Sequence, residues 1–163
     1  MAALAARGKI CMNSVKQPQN KSLPARTYEH RYNWQHMMFV SKCRYRVFRK
    51  EMTREVIRKA LYEIAEANGI EIKEFAFGDD FAHIHMEANV PNTIAISKAV
   101  QILKSYSAYI LFYKIPAFRK LYPRGRFWSG YYSNGSVGPQ NEEVMRNYIR
   151  NQDISVGQRT LAI

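Results

Sequence analysis

The chain has 163 residues, 47% of them hydrophobic, with a formal charge of +12. That size and apolar content suit one globular domain with its own core and exclude wholesale disorder. Two cysteines exclude a disulfide framework and a cysteine-only zinc site. No apolar run approaches the roughly 18 residues of a membrane span, and the opening MAALAARGK is too poor in apolar residues for a signal-peptide core. A soluble, cytoplasmic protein without a membrane partner is expected.

Residues 1–27 are polar and basic without apolar periodicity, and they read as a flexible N-terminal arm. The run from Tyr32 to Val40, with Trp34, Met37, Met38 and Phe39, predicts a first strand, followed by the basic cluster Lys42, Arg44, Arg46, Arg49 and Lys50. Val56, Ile57, Ala60, Leu61 and Ile64 repeat at helical spacing, so a helix is predicted from about Thr53 to Asn68, with Gly69 as its stop. A strand over Ile70–Gly78 follows, and its alternation slips near Lys73–Glu74, as at a β-bulge. Phe81–Val90 is the clearest strand: Ala82, Ile84, Met86, Ala88 and Val90 share one face, and Phe81, His83, His85, Glu87 and Asn89 the other. Thr93 is expected to cap a long helix to about Tyr113, which Pro116 ends. An Arg- and Pro-rich loop leads to a short strand around Phe127–Ser133, and Asn141 caps a last helix to about Gln152. Residues 153–163 read as a tail. The order predicts an α+β, ferredoxin-like β-α-β-β-α-β sheet with helices on one face, plus a C-terminal helix.

Charge is distributed unevenly along this order. No Asp or Glu precedes Glu29, and none lies between Glu87 and Glu142, whereas Glu51–Asp80 is rich in acids. The second acid-free stretch carries Lys98, Lys104, Lys114, Arg119, Lys120, Arg124 and Arg126 interleaved with tyrosines, Phe127 and Trp128. Cations for phosphates beside rings for unpaired bases describe a surface for single-stranded nucleic acid. The alternative is a basic protein whose aromatics fill its core.

Two pairs of side chains can carry chemistry. His83 and His85 leave the same strand face with backbones roughly 7 Å apart, so both imidazoles can reach one divalent metal. They can equally be two hydrogen-bonded surface histidines. Tyr148 and Gln152 lie one turn apart on the last helix. Tyr148 is either an amphipathic packing residue or a nucleophile, the latter requiring activation because a phenol's ordinary pKa is about 10.

The segments Phe81-Ala82-His83-Ile84-His85, Leu103-Lys104-Ser105-Tyr106-Ser107, Phe127-Trp128-Ser129-Gly130-Tyr131-Tyr132, Val137-Gly138 and Tyr148-Ile149-Arg150-Asn151-Gln152 resemble, in order and spacing, the single-tyrosine HUH transposases of small bacterial and archaeal insertion sequences. The resemblance runs from about Tyr32 to Gln152 and marks 28–152 as a catalytic domain. It implies that His83, His85 and Gln152 hold Mg²⁺ or Mn²⁺. It also implies that Tyr148 attacks a phosphate of single-stranded DNA at hairpin-flanked ends, leaving a 5′-phosphotyrosine and a free 3′-hydroxyl. Lys42, Arg44, Arg46, Lys104, Arg119, Lys120, Arg124 and Arg126 are then the DNA-binding set. The resemblance further implies a homodimer joined sheet edge to sheet edge through the first strand, Met37–Val40, with each tyrosine helix serving the partner's histidines. Two features depart from the family pattern: Ala82 stands where an acid usually precedes the first histidine, and the N-terminal extension is long. Two other readings share the fold: a non-catalytic single-stranded nucleic-acid-binding module, and a rolling-circle-type HUH nicking enzyme.

Overall fold

The computed structural model describes residues 33–138 and 141–161, with the backbone alone for 153–161. The arm predicted over residues 1–27 lies outside them. Four strands and three long helices follow the predicted order: β1 (Trp34–Ser41), α1 (Glu51–Ala67), β2 (Glu71–Phe77), β3 (His83–Asn89), α2 (Ile96–Lys114), a single turn α3 (Phe118–Leu121), β4 (Trp128–Ser136) and α4 (Glu142–Leu161). The basic cluster after β1 forms two short 3₁₀ turns, Lys42–Arg44 and Val47–Arg49. Thr93 lies in a turn rather than at the cap of α2; Ala95 holds that position without a side-chain bond. The last helix does not stop near Gln152 but continues to Leu161, because no proline interrupts its hydrogen-bond ladder.

The sheet is antiparallel throughout in the order β2-β3-β1-β4, the arrangement expected of the ferredoxin-like pattern. Met37 lies opposite Met86 and Phe39 opposite Ile84, while Phe75 and Phe77 on β2 face the same two β3 residues. Their side chains form one core with Ile57 and Leu61 of α1 and Leu103 and Leu111 of α2. Each such fully buried side chain contributes about 2 kcal/mol, so this face alone anchors the sheet and leaves the other free for polar groups. Gly69, at φ +66°, turns the chain out of α1 into β2. The pairing of β2 with β3 shifts between Ile72 and Glu74, where the alternation slips in the sequence.

Position in the sheet overturns one expectation. β1 is paired on both sides, by β3 and by β4, so Met37–Val40 cannot offer an edge to a second chain. An apolar strand is as consistent with a central strand as with a sticky edge, and here burial between neighbours explains it. Among the described residues, the unpaired edges belong to β2 and β4. Among the described residues no helix is long and apolar enough to cross a membrane.

Candidate active site

The second sheet face is polar, and α4 covers part of it. Alternation sends Trp34, His36 and Met38 of β1 toward it, opposite Asn89, Glu87 and His85 of β3. His83 and His85 converge there: their Nε2 atoms are 2.9 Å apart and their rings meet edge-on. Two nitrogens bound at a right angle, each about 2.1 Å from one ion, stand about 3 Å apart, so this pair fits a shared divalent cation. Among the described residues no cluster of three His, Cys, Asp or Glu side chains is arranged to hold a metal. Among the described residues, a third protein donor would be of another type, such as an amide oxygen.

Both histidines are held from behind. Asp80 Oδ1 stands 2.6 Å from His83 Nδ1 and accepts the Ala82 N–H at 2.8 Å, while Oδ2 accepts from Arg44 at 2.7 Å. Burial acts to raise this carboxyl, but the bonds from Arg44 and Ala82 prevail and hold it below the usual range. The carboxylate that Ala82 lacks is thus supplied from two residues upstream, through a turn in which Phe81 adopts φ +59°. Gly78 completes the seat, since a Cβ there would fall within 2.1–2.5 Å of the His83 ring atoms. His85 is 4% exposed, and its Nδ1 stands 3.1 Å from Nε2 of His36. Burial, then the nearby His83 and His36, push His85 down to about 4, so its imidazole is neutral at ordinary pH. His36 and Gly78 were not among the residues singled out in the sequence. His36 sits in a run that reads simply as an apolar strand, and only pairing places it beside His85.

Tyr148 lies on α4 beside the histidines of its own chain, 47% exposed. Its ring meets His85 edge-on at 5.6 Å and His36 at 6.2 Å between centroids. In this chain the tyrosine is therefore next to its own pair. Gln152 is half-buried one turn further along the same helix. Of the other tyrosines, Tyr131 is 69% exposed on β4, and Tyr132 packs against the core.

α4 is docked largely by charge. Arg150 pairs with Glu74 at 2.5 Å, Lys73 and Arg146 both pair with Glu142, and Ile149 inserts fully. Beneath the helix, Glu87 is 0% exposed; neither of its oxygens accepts a hydrogen bond among the described residues, and the nearest cation, Arg146 Nε, is 3.9 Å away. Burial raises this carboxyl, and Arg146 offsets the shift only partly. A raised acid favours its protonated form in the fold, so ionised Glu87 costs stability above its pKa. Glu87→Gln is expected to stabilise the protein by about 1 kcal/mol at pH 7.5. The gain should vanish as pH falls below the ordinary value of 4.5, where wild type is also neutral. Thermal melts of both proteins at pH 7.5 and 4 check this.

The predicted DNA-binding residues divide. Lys42, Arg124 and Arg126 line a cavity of about 210 Å³ with Tyr45 and Tyr122. Arg46 lines a neighbouring cavity of about 630 Å³ that shares Tyr45 and Leu121 with it. Lys120 is exposed nearby, and Arg119 lies over the Phe112 ring. Arg44 joins this basic end of the sheet to His83 through Asp80. Lys104 is placed differently: its ammonium donates to the carbonyls of Ser129 and Tyr131 where β4 slips register against β1, and burial lowers it to about 8. Two of its three donors thus pin the edge strand.

Comparison with known proteins agrees with this architecture. The profile of the family described as IS200-like transposases matches residues 28–152. A crystal structure assigned as a transposase from Deinococcus radiodurans R1 superposes with a TM-score of 0.60 at 22% identity, over 74% of this chain and 91% of that one. A REP-associated tyrosine transposase bound to a REP hairpin gives 0.52 at 13% identity, over 75% of this chain and 68% of that one. No curated protein matches the chain.

Proposed function

This chain belongs to the IS200-like transposase family, and from that premise we propose that it cuts and rejoins single-stranded DNA at hairpin-flanked ends through Tyr148. The observation that carries the reading is the convergence, within one chain, of the Tyr148 ring on the paired imidazoles of His83 and His85. His83 and His85 would hold Mg²⁺ or Mn²⁺, and Gln152 would add a neutral oxygen. The bound ion supplies Lewis-acid polarisation of a phosphate oxygen.

The chain's own groups do the rest. Lys42, Arg46, Arg124 and Arg126 bind the DNA backbone at the end of the sheet where Asp80 seats His83, which delivers a strand to the tyrosine. Tyr148 Oη gives up its proton to water and forms a bond to phosphorus, the bond to the 3′ oxygen breaks, and that oxygen takes a proton from water and leaves as a free hydroxyl. One phosphate ester replaces another, so the 3′-hydroxyl of the incoming strand can reverse the step without ATP. The active unit is a homodimer paired through the β4 edge, where Tyr132–Ser136 is uncharged and, among the described residues, lacks an outer partner.

Wild-type protein incubated with Mn²⁺ and a labelled single strand carrying a hairpin is expected to yield a denaturation-resistant adduct, with two chains per complex in sedimentation. Tight hairpin binding without an adduct would favour the non-catalytic binding module.

A further inference from the structure

We propose that His36 is the positioning residue for His85, and that it reverses its hydrogen bond from donor to acceptor when the His83–His85 pair takes a divalent ion. The proposal rests on the metal reading above. It follows from counting protons along four groups in a row: His36 Nε2 is 3.1 Å from His85 Nδ1, His85 Nε2 is 2.9 Å from His83 Nε2, and His83 Nδ1 is 2.6 Å from Asp80. Each of these contacts requires one proton.

With three neutral imidazoles and no metal, one arrangement satisfies all of them. Asp80 accepts from His83 Nδ1, so His83 Nε2 is a lone pair and accepts from His85 Nε2. His85 Nδ1 is then a lone pair and accepts from His36 Nε2. A cation held by both Nε2 atoms removes the proton between them. His85 must then carry its proton on Nδ1, and His36 Nε2 must become the acceptor, with its own proton on Nδ1. Both rings exchange tautomer through solvent, and no net proton is gained or lost.

An imidazole suits this place because it can both donate and accept from one fixed nitrogen. A carboxylate, as at Asp80, accepts only. Geometry favours the role as well. The His36 ring lies parallel to His85, at 4° and 5.3 Å between centroids, so β1 fixes the ring that the ligand leans on. His36 thus does for His85 what Asp80 does for His83, the outer partner that sets tautomer and orientation.

The test uses His36→Phe, which keeps a ring without nitrogens, and His36→Gln, whose amide can present either a donor or an acceptor. Mn²⁺ affinity, read by the EPR signal of free Mn²⁺, is expected to fall about 10- to 100-fold in His36→Phe and to recover substantially in His36→Gln. Hairpin binding in EDTA should be equal in all three and reports folding. Imidazole ¹⁵N spectra of wild type should show His36 protonated at Nε2 without metal and at Nδ1 with Mg²⁺. Unchanged Mn²⁺ affinity in His36→Phe, or an unchanged His36 tautomer, overturns the proposal while leaving the metal reading intact. Failure of wild type to bind Mn²⁺ at all overturns both.

Discussion

Tyr148→Phe is expected to abolish the covalent DNA adduct and lower cleavage by about 10⁴-fold or more, because the nucleophile itself is deleted. The substitution removes one oxygen from a half-exposed ring. The edge-on contacts with His85 and His36 are made by ring carbons and survive, so α4 should dock as before and melting should be unchanged. Hairpin affinity should also hold, since the basic end of the sheet is untouched. The check is a denaturing gel of Mn²⁺ reactions with a hairpin-bearing single strand, followed by peptide mapping of the wild-type adduct. Mapping to Tyr131, Tyr132 or any tyrosine other than Tyr148 would sink the assignment.

Metal removal should have a comparable effect by a different route. EDTA on wild type, or His85→Ala, is expected to reduce cleavage to background while hairpin affinity changes by less than about threefold, because that affinity comes from cation–phosphate contacts. The phosphate contacts proposed for Lys42, Arg46, Arg124 and Arg126 instead predict a steep fall of affinity with salt. His85→Ala also opens a void beside Ala76 and Tyr148. His83→Ala, whose ring is seated by Gly78 and Asp80, is therefore the companion variant. Cleavage that persists in EDTA would refute the metal assignment.

The sequence already shows where these residues lie along the chain, but not which of them meet. Period-two alternation over Phe81–Val90 places His83 and His85 on one face, and helical spacing puts Tyr148 and Gln152 on one side of α4, because both patterns are local. The register slip near Lys73 was visible for the same reason. Pairing is not local. Nothing within Trp34–Val40 says that β1 lies at the centre of the sheet, so the run neither marks His36 as a neighbour of His85 nor rules β1 out as an edge. Glu87 reads as a solvent-facing residue of an amphipathic strand, and only the placement of α4 buries it. Lys104 belongs to a basic stretch by composition, yet a register slip in β4 gives it two backbone carbonyls to satisfy. Asp80 replaces the acid missing at Ala82 through left-handed backbone at Phe81, which no periodicity foretells.

The way α4 is fastened sets its local thermodynamics. Among the described residues Ile149 is its one fully buried side chain, the Tyr148 ring adds edge-on contacts with His85 and His36, and ion pairs at Glu74, Lys73 and Glu142 carry much of the remaining attachment. Lifting such a helix exposes little hydrocarbon, so its opening carries a small heat-capacity change and varies weakly with temperature. Exposed ion pairs are individually worth under about 1 kcal/mol and are screened by salt. Opening of α4 therefore costs less than global unfolding, as in sub-global units seen by hydrogen exchange. Ionic strength, more than heat, governs how much of the time the phenol stays over the imidazoles, and the core beneath keeps its own melting point.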